Sequence, residues 1–124
     1  MKILIADDSV FMRTILKNIV AKSNWSGATV LEAADGDEAI AIYQKEQPDL
    51  VLLDIIMPNK DGIEVLKLIG HNSSAVVIVS SVGQEEVIAQ AKSLGAKNYI
   101  VKPFDVNQVT NVINVFCLEA ISGT

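Results

Sequence analysis

The chain has 124 residues, half of them hydrophobic and a fifth charged, a length and balance that suit one domain with its own core and leave no room for a second. A formal net charge of −5 and a pI near 4.7 argue against any sequence-independent grip on nucleic acid. The single cysteine, Cys117, excludes an internal disulfide framework and fits a reducing cytoplasm, and no apolar run approaches the ~20 residues that a bilayer crossing needs, so a cytoplasmic protein without membrane association is expected.

In chain order, the first element is the apolar run Ile3–Ala6, which stops on two adjacent carboxylates in "ILIADDS". A helix follows, with Phe11, Ile15 and Ile19 repeating at i+4 and Met12 and Leu16 beside them. Thr29–Ala33 reads as a second strand. After it, "ADGDEA" places Asp35 three residues before Glu38, the spacing of a capping box, and opens a helix marked by Ala39, Ile42 and Tyr43. Leu50–Leu53 is a third greasy run that again ends on an aspartate, Asp54. Ile63, Leu66 and Ile69 mark the next helix. Ala75–Val79 is a fourth strand closed by Ser80, Val87–Leu94 a fourth helix, Asn98–Val101 a fifth strand followed by Lys102, and Val106–Ala120 a last helix.

Three of the strands ("ILIA", "LVLL", "VVIV") are apolar throughout instead of alternating. A strand reads that way when both of its faces are covered, as in a parallel sheet between helix layers. Strict alternation of strand and helix over residues 1–124, with no linker, repeat or low-complexity segment, predicts one α/β domain: a flavodoxin-like, doubly wound, five-stranded parallel sheet in the order 2-1-3-4-5, with helices on both faces. In such a sheet the functional groups gather at the carboxyl ends of the strands. The strand reading therefore brings Asp7, Asp8 and Asp54 together, with Ser80 and Lys102 in the same row of strand ends. Two unit charges 4 Å apart interact by about 4 kcal/mol at an effective dielectric of 20, so three carboxylates call for a cation. A site of oxygen donors alone suits Mg²⁺ better than zinc, which favours Cys or His. The lone histidine, His71 in "IGHNSS", reads as an exposed loop residue. Asp7 or Asp8 taken singly also suits a helix N-cap.

"DDS" after strand 1, "DIIMPNKDG" after strand 3, Ser80 after strand 4 and "KPF" after strand 5 together resemble a response-regulator receiver domain. The resemblance spans the whole chain, and "SVGQEEVIAQAKSLGAKNYIVKPF" is most similar to the single-domain, CheY-like chemotaxis branch. It implies a two-component phosphoprotein. Asp54 would take a phosphoryl group from a phosphohistidine on a histidine kinase, catalysing only its own phosphorylation and dephosphorylation. Asp7, Asp8, Asp54 and the backbone carbonyl of Ile56 would hold Mg²⁺. Lys102 would meet the phosphoryl oxygens from a cis Lys102–Pro103 bond, Ser80 would turn to bond one of them, and Tyr99 would follow inward as the switch. The resemblance also places Ile56 and Val82 beside the path of the hydrolytic water. Neither can hydrogen-bond it, so a long-lived phosphoryl group is expected. Between Asp105 and Glu119 the last helix carries no charge. With Val109, Ile113, Phe116 and Ala120 inward, Asn107, Asn111, Asn114 and Leu118 point outward beside Val115. Helix 4, strand 5 and helix 5 are thus the expected surface for a downstream target, on a monomer or weak dimer.

Rival readings are an Mg²⁺-dependent aspartyl-phosphate phosphatase, a flavin-binding protein, an unphosphorylated binding module, and a receiver domain belonging to a larger regulator. The phosphatase pattern carries its nucleophile as D-x-D after strand 1, where this chain has "DDS". A flavin phosphate would be repelled by two carboxylates in the loop meant to cradle it.

Overall fold

The computed structural model describes residues 1–122. Five strands, β1 (Lys2–Ala6), β2 (Thr29–Ala33), β3 (Leu50–Leu53), β4 (Ala75–Ser80) and β5 (Asn98–Val101), alternate with α1 (Val10–Lys22), α2 (Gly36–Glu46), α3 (Gly62–Ile69), α4 (Glu85–Ser93) and α5 (Val106–Ser122). The strands pair in parallel in the order β2-β1-β3-β4-β5, as expected from the sequence.

The uninterrupted apolar runs divide their side chains between two cores, because successive strand residues point to opposite faces. Leu4, Val51, Leu53, Val76 and Ile78 face α2, α3 and α4 through Ala39, Tyr43, Val65, Leu66, Ile69 and Ala91. Ile3, Ile5, Leu50, Leu52, Val77 and Val79 face α1 and α5 through Leu16, Ile19, Val20, Val109, Val112, Ile113 and Cys117. Each buried aliphatic side chain of this kind contributes about 1.5–3 kcal/mol. Burial also pushes the Cys117 thiol up to about 11.

Two helices turn somewhat away from the faces read in the sequence. In α1 the buried residues are Leu16, Ile19 and Val20, while Phe11, on the first turn, is 74% exposed. In α5 the buried stripe is Val109, Val112, Ile113 and Cys117. Phe116 is only partly buried, and Ala120 is exposed. Neither Asp7 nor Asp8 caps α1: the Ser9 hydroxyl accepts from the Met12 amide at 3.1 Å and does so instead. Asp35 caps α2 through the Glu38 amide, but the reciprocal half of a capping box is missing there. The complete box is Asp61–Glu64 at α3. His71 lies exposed in the α3–β4 connection. No helix among the described residues is long and apolar enough to cross a membrane.

Candidate functional site

Strand register builds the site. Ala6 of β1 stands opposite Leu53 of β3, so the next residues, Asp7 and Asp54, leave the sheet side by side. The Asp54 amide donates to the Ala6 carbonyl (2.9 Å), and the Asp7 amide donates to the Ala33 carbonyl (3.0 Å), which carries the ladder one residue past the strands. Across the sheet, Ser80 pairs with Val101, and the Lys102 amide donates to the Ser80 carbonyl (2.9 Å). One row of strand ends thus holds Asp7, Asp54, Ser80 and Lys102, with Asp8 next to Asp7.

Burial sorts these groups. Asp7 and Asp54 are buried, at 2% and 7% exposure, and Ser80 is completely enclosed, whereas Asp8 is exposed. The Lys102 ammonium bridges the two buried acids, donating to Asp7 Oδ2 (2.7 Å) and Asp54 Oδ2 (3.1 Å). Asp7 Oδ1 accepts from the Ser9 amide (2.9 Å), and Asp54 Oδ1 is approached by the Ile56 amide (3.3 Å). Burial holds the Asp7 carboxyl above its ordinary value even though Lys102 pulls it the other way. Lys102 itself is partly desolvated, yet its hydrogen bond to Asp7 and the Asp54 charge keep its value raised. The Lys102–Pro103 peptide is cis, as expected. The sequence reading assigned Lys102 to phosphoryl oxygens; its place here as counter-ion between Asp7 and Asp54 follows from the ladder and was not foreseen.

One oxygen from each of Asp7, Asp8 and Asp54 lies within 4.8 Å of the others, the scale of donors that share a single small hard cation. The set is all carboxylate, with no thiolate or imidazole, which fits Mg²⁺. Ile56 lies on the loop just beyond Asp54 with its side chain 58% exposed. That loop closes tightly: the Gly62 amide donates to the Ile55 carbonyl (2.8 Å), and a Cβ at Gly62 would lie 2.2 Å from the Asp54 carbonyl oxygen. Only glycine permits α3 to start this close to the acid.

Toward β5, the Ser80 hydroxyl faces the Val82 amide (3.3 Å), and the Tyr99 hydroxyl donates to the Val82 carbonyl. Tyr99 is half-buried, packed against the α2–α3–α4 core. Burial, and then the Asp54 charge, raise its phenol above the ordinary value. The Tyr99 ring is therefore tied to the loop that follows Ser80. The sequence reading had not noticed Arg13, whose guanidinium donates to the Asp7 carbonyl (2.7 Å). Its partner is a main-chain oxygen, which leaves no signal in residue types.

A parallel 2-1-3-4-5 sheet carrying an acid triad and a lysine at its carboxyl edge defines a class of phosphoryl-handling signalling domains, and the chain belongs to the response regulator receiver domain family, whose profile matches residues 3–114. It is 44% identical to the chemotaxis protein CheY of Listeria monocytogenes over 115 residues, 91% of this chain and 95% of that one. It is 38% identical to sporulation initiation phosphotransferase F of Bacillus subtilis, covering 93% of this chain and 92% of that one. Among solved structures it is similar to the CheX–CheY–BeF3–Mg complex from Borrelia burgdorferi, with a TM-score of 0.85, 37% identity, and coverage of 94% of this chain and 89% of that one.

Proposed function

We propose that Asp54 is the phosphoacceptor and that the chain relays a signal by changing what it binds. A carboxylate oxygen of Asp54 attacks the phosphorus of a phosphohistidine on a partner histidine kinase. The O–P bond forms as the N–P bond breaks, and the imidazole leaves. The observation that carries this reading is the Lys102 ammonium held between two buried acids at the strand ends, with Asp8 beside them. Lys102 is placed to follow negative charge from the carboxylates onto the incoming phosphoryl oxygens. Asp7, Asp8, Asp54 and the Ile56 carbonyl would hold Mg²⁺, which when bound neutralises the transferring group. The Ser80 hydroxyl turns from the Val82 amide to the phosphoryl group, and the loop shift is read by Tyr99 through its bond to Val82.

The output face is α4, β5 and α5. Exposed Val101, Val106, Val115 and Leu118 lie on β5 and the charge-free stretch of α5, where a solvated helix would carry Lys and Glu pairs. Similarity to chemotaxis proteins on several sides favours a motility target. Intact-mass measurement after incubation with a small phosphodonor tests the central step. Wild type should gain one phosphoryl group with Mg²⁺ and none with chelator, and Asp54→Ala should gain none. Phosphorylation that persists in Asp54→Ala overturns the assignment. Val115→Lys with Leu118→Lys should weaken target binding at unchanged phosphorylation; equal binding by the variant removes α5 from the output face.

A further inference from the structure

The three acids of the site are not equally restrained. Asp7 is fixed by its amide bond to the Ala33 carbonyl, by the Ser9 amide on one carboxylate oxygen and by Lys102 on the other. Asp54 is fixed by the Ala6 carbonyl, Lys102 and the Ile56 amide. The Asp8 side chain is exposed and has no hydrogen bond or ion pair among the described residues. Its direction is therefore set by its own backbone, and the peptide plane joining Asp7 to Asp8 is rigid. The carbonyl oxygen of that plane is the one gripped by Arg13 Nη1 at 2.7 Å.

Arg13 is itself held. Its side chain is only 13% exposed, and Nε donates to Glu32 Oε1 at 3.1 Å, while Lys17 Nζ reaches the other oxygen of Glu32 at 3.2 Å. Glu32 lies on β2, the strand next to β1, so the guanidinium is stretched between α1, β2 and the end of β1. A planar fork with several donors can satisfy a carboxylate and a carbonyl together, which an ammonium on a flexible stem does poorly.

We infer that Arg13 is a positioning residue for the metal site: oriented by Glu32, it locks the Asp7–Asp8 peptide plane so that the Asp8 carboxylate is aimed at Asp7 and Asp54. This rests on the reading that the three acids hold a divalent cation. Groups that orient ligands from behind typically change metal affinity by about 10–100-fold when removed.

The test is Mg²⁺ titration calorimetry on the full chain, with thermal unfolding of the metal-free proteins in parallel. If wild type binds no Mg²⁺, the metal reading fails and Arg13 is not at issue. With wild type binding, Arg13→Gln should weaken Mg²⁺ about 10-fold or more, and Glu32→Gln should weaken it less in the same direction. A role confined to holding α1 in place would lower the unfolding midpoint and leave the affinity of the folded protein unchanged. The decisive arm is the Asp8→Asn background, where Arg13→Gln should produce no further loss because the carboxylate it aims is gone. An Arg13→Gln affinity within about twofold of wild type overturns the inference, as does an equal fold-loss in the two backgrounds. Should Arg13→Gln not fold, Arg13→Lys, which keeps the charge but loses the fork, should still bind Mg²⁺ several-fold more weakly; wild-type affinity in that variant contradicts the inference.

Discussion

The two ends of the sheet are built from the same strands and treat polar groups in opposite ways. At the amino end, beside an open cleft of about 650 Å³ lined by Tyr43, Pro48, Asp49, Ser74 and Glu119, several polar groups are matched to neighbours. Asp49 accepts the Lys2 amide (2.9 Å), the Lys2 ammonium meets Glu46 (3.1 Å), and the Ser74 hydroxyl donates to the Pro48 carbonyl. At the carboxyl end charge is less evenly matched: Lys102 bridges Asp7 and Asp54, while Asp8 beside them has no ion pair among the described residues. A fold built only for stability would not leave negative charge uncompensated, and the excess is what supports the proposal of a cation and a phosphoryl group at this edge.

This contrast can be broken from the body of the sheet outward. Leu52 is buried between α1 and α5. Leu52→Ala should lower unfolding free energy by about 2–5 kcal/mol in urea titrations, and by the same amount with or without Mg²⁺, since it touches neither sheet end. Adding Mg²⁺ at a hundredfold excess over its dissociation constant should stabilise wild type by about 2.7 kcal/mol and Asp8→Asn by clearly less. In metal-free buffer the order reverses: Asp8→Asn should raise the unfolding free energy by a few tenths to about 1 kcal/mol, because one repelling charge is gone. A drop in stability there would mean that the acids are already balanced. At the amino end, by contrast, Asp49→Asn should lower stability by about 1 kcal/mol through its weakened bond to the Lys2 amide. The smallest effect is kinetic. If Asp54 is the acceptor and Ile56 and Val82 border the water's path, neither side chain can hold that water in line with the phosphorus; the double variant Ile56→Asn, Val82→Glu should then shed its phosphoryl group several-fold faster than wild type. Equal decay rates place the control of lifetime in the metal and Lys102 alone.

Most of this was legible in the residues, for identifiable reasons. β1, β3 and β4 are covered on both faces, so their sequences are solid apolar runs, and the polar residues that end each run (Asp7, Asp54 and Ser80) had to emerge at one edge. The helices were less legible. A stripe repeating at i+4 drifts around a 3.6-residue helix, so the sequence put Phe11 on the apolar stripe of α1 and Ala120 inward on α5, where both are exposed, and did not mark Val112. The capping box was expected at Asp35 and found at Asp61: the Asp35 carboxylate takes the Glu38 amide on one oxygen and Asn59 of the β3–α3 loop on the other (2.9 Å), but the Glu38 side chain does not return to the Asp35 amide. The bridge from Lys102 to Asp7 was invisible because it depends on how distant strand ends line up, and the grip of Arg13 on the Asp7 carbonyl because its partner is a main-chain oxygen.

Site mapping by reductive trapping tests the central claim most directly. An acyl phosphate on aspartate is reduced by borohydride to homoserine, so peptide mass spectrometry after phosphorylation in Mg²⁺ and reduction reads the acceptor residue itself. The account predicts conversion at Asp54 alone, absent when the metal is chelated. Conversion at Asp7 or Asp8, or no homoserine in a protein that has gained a phosphoryl group, would contradict it.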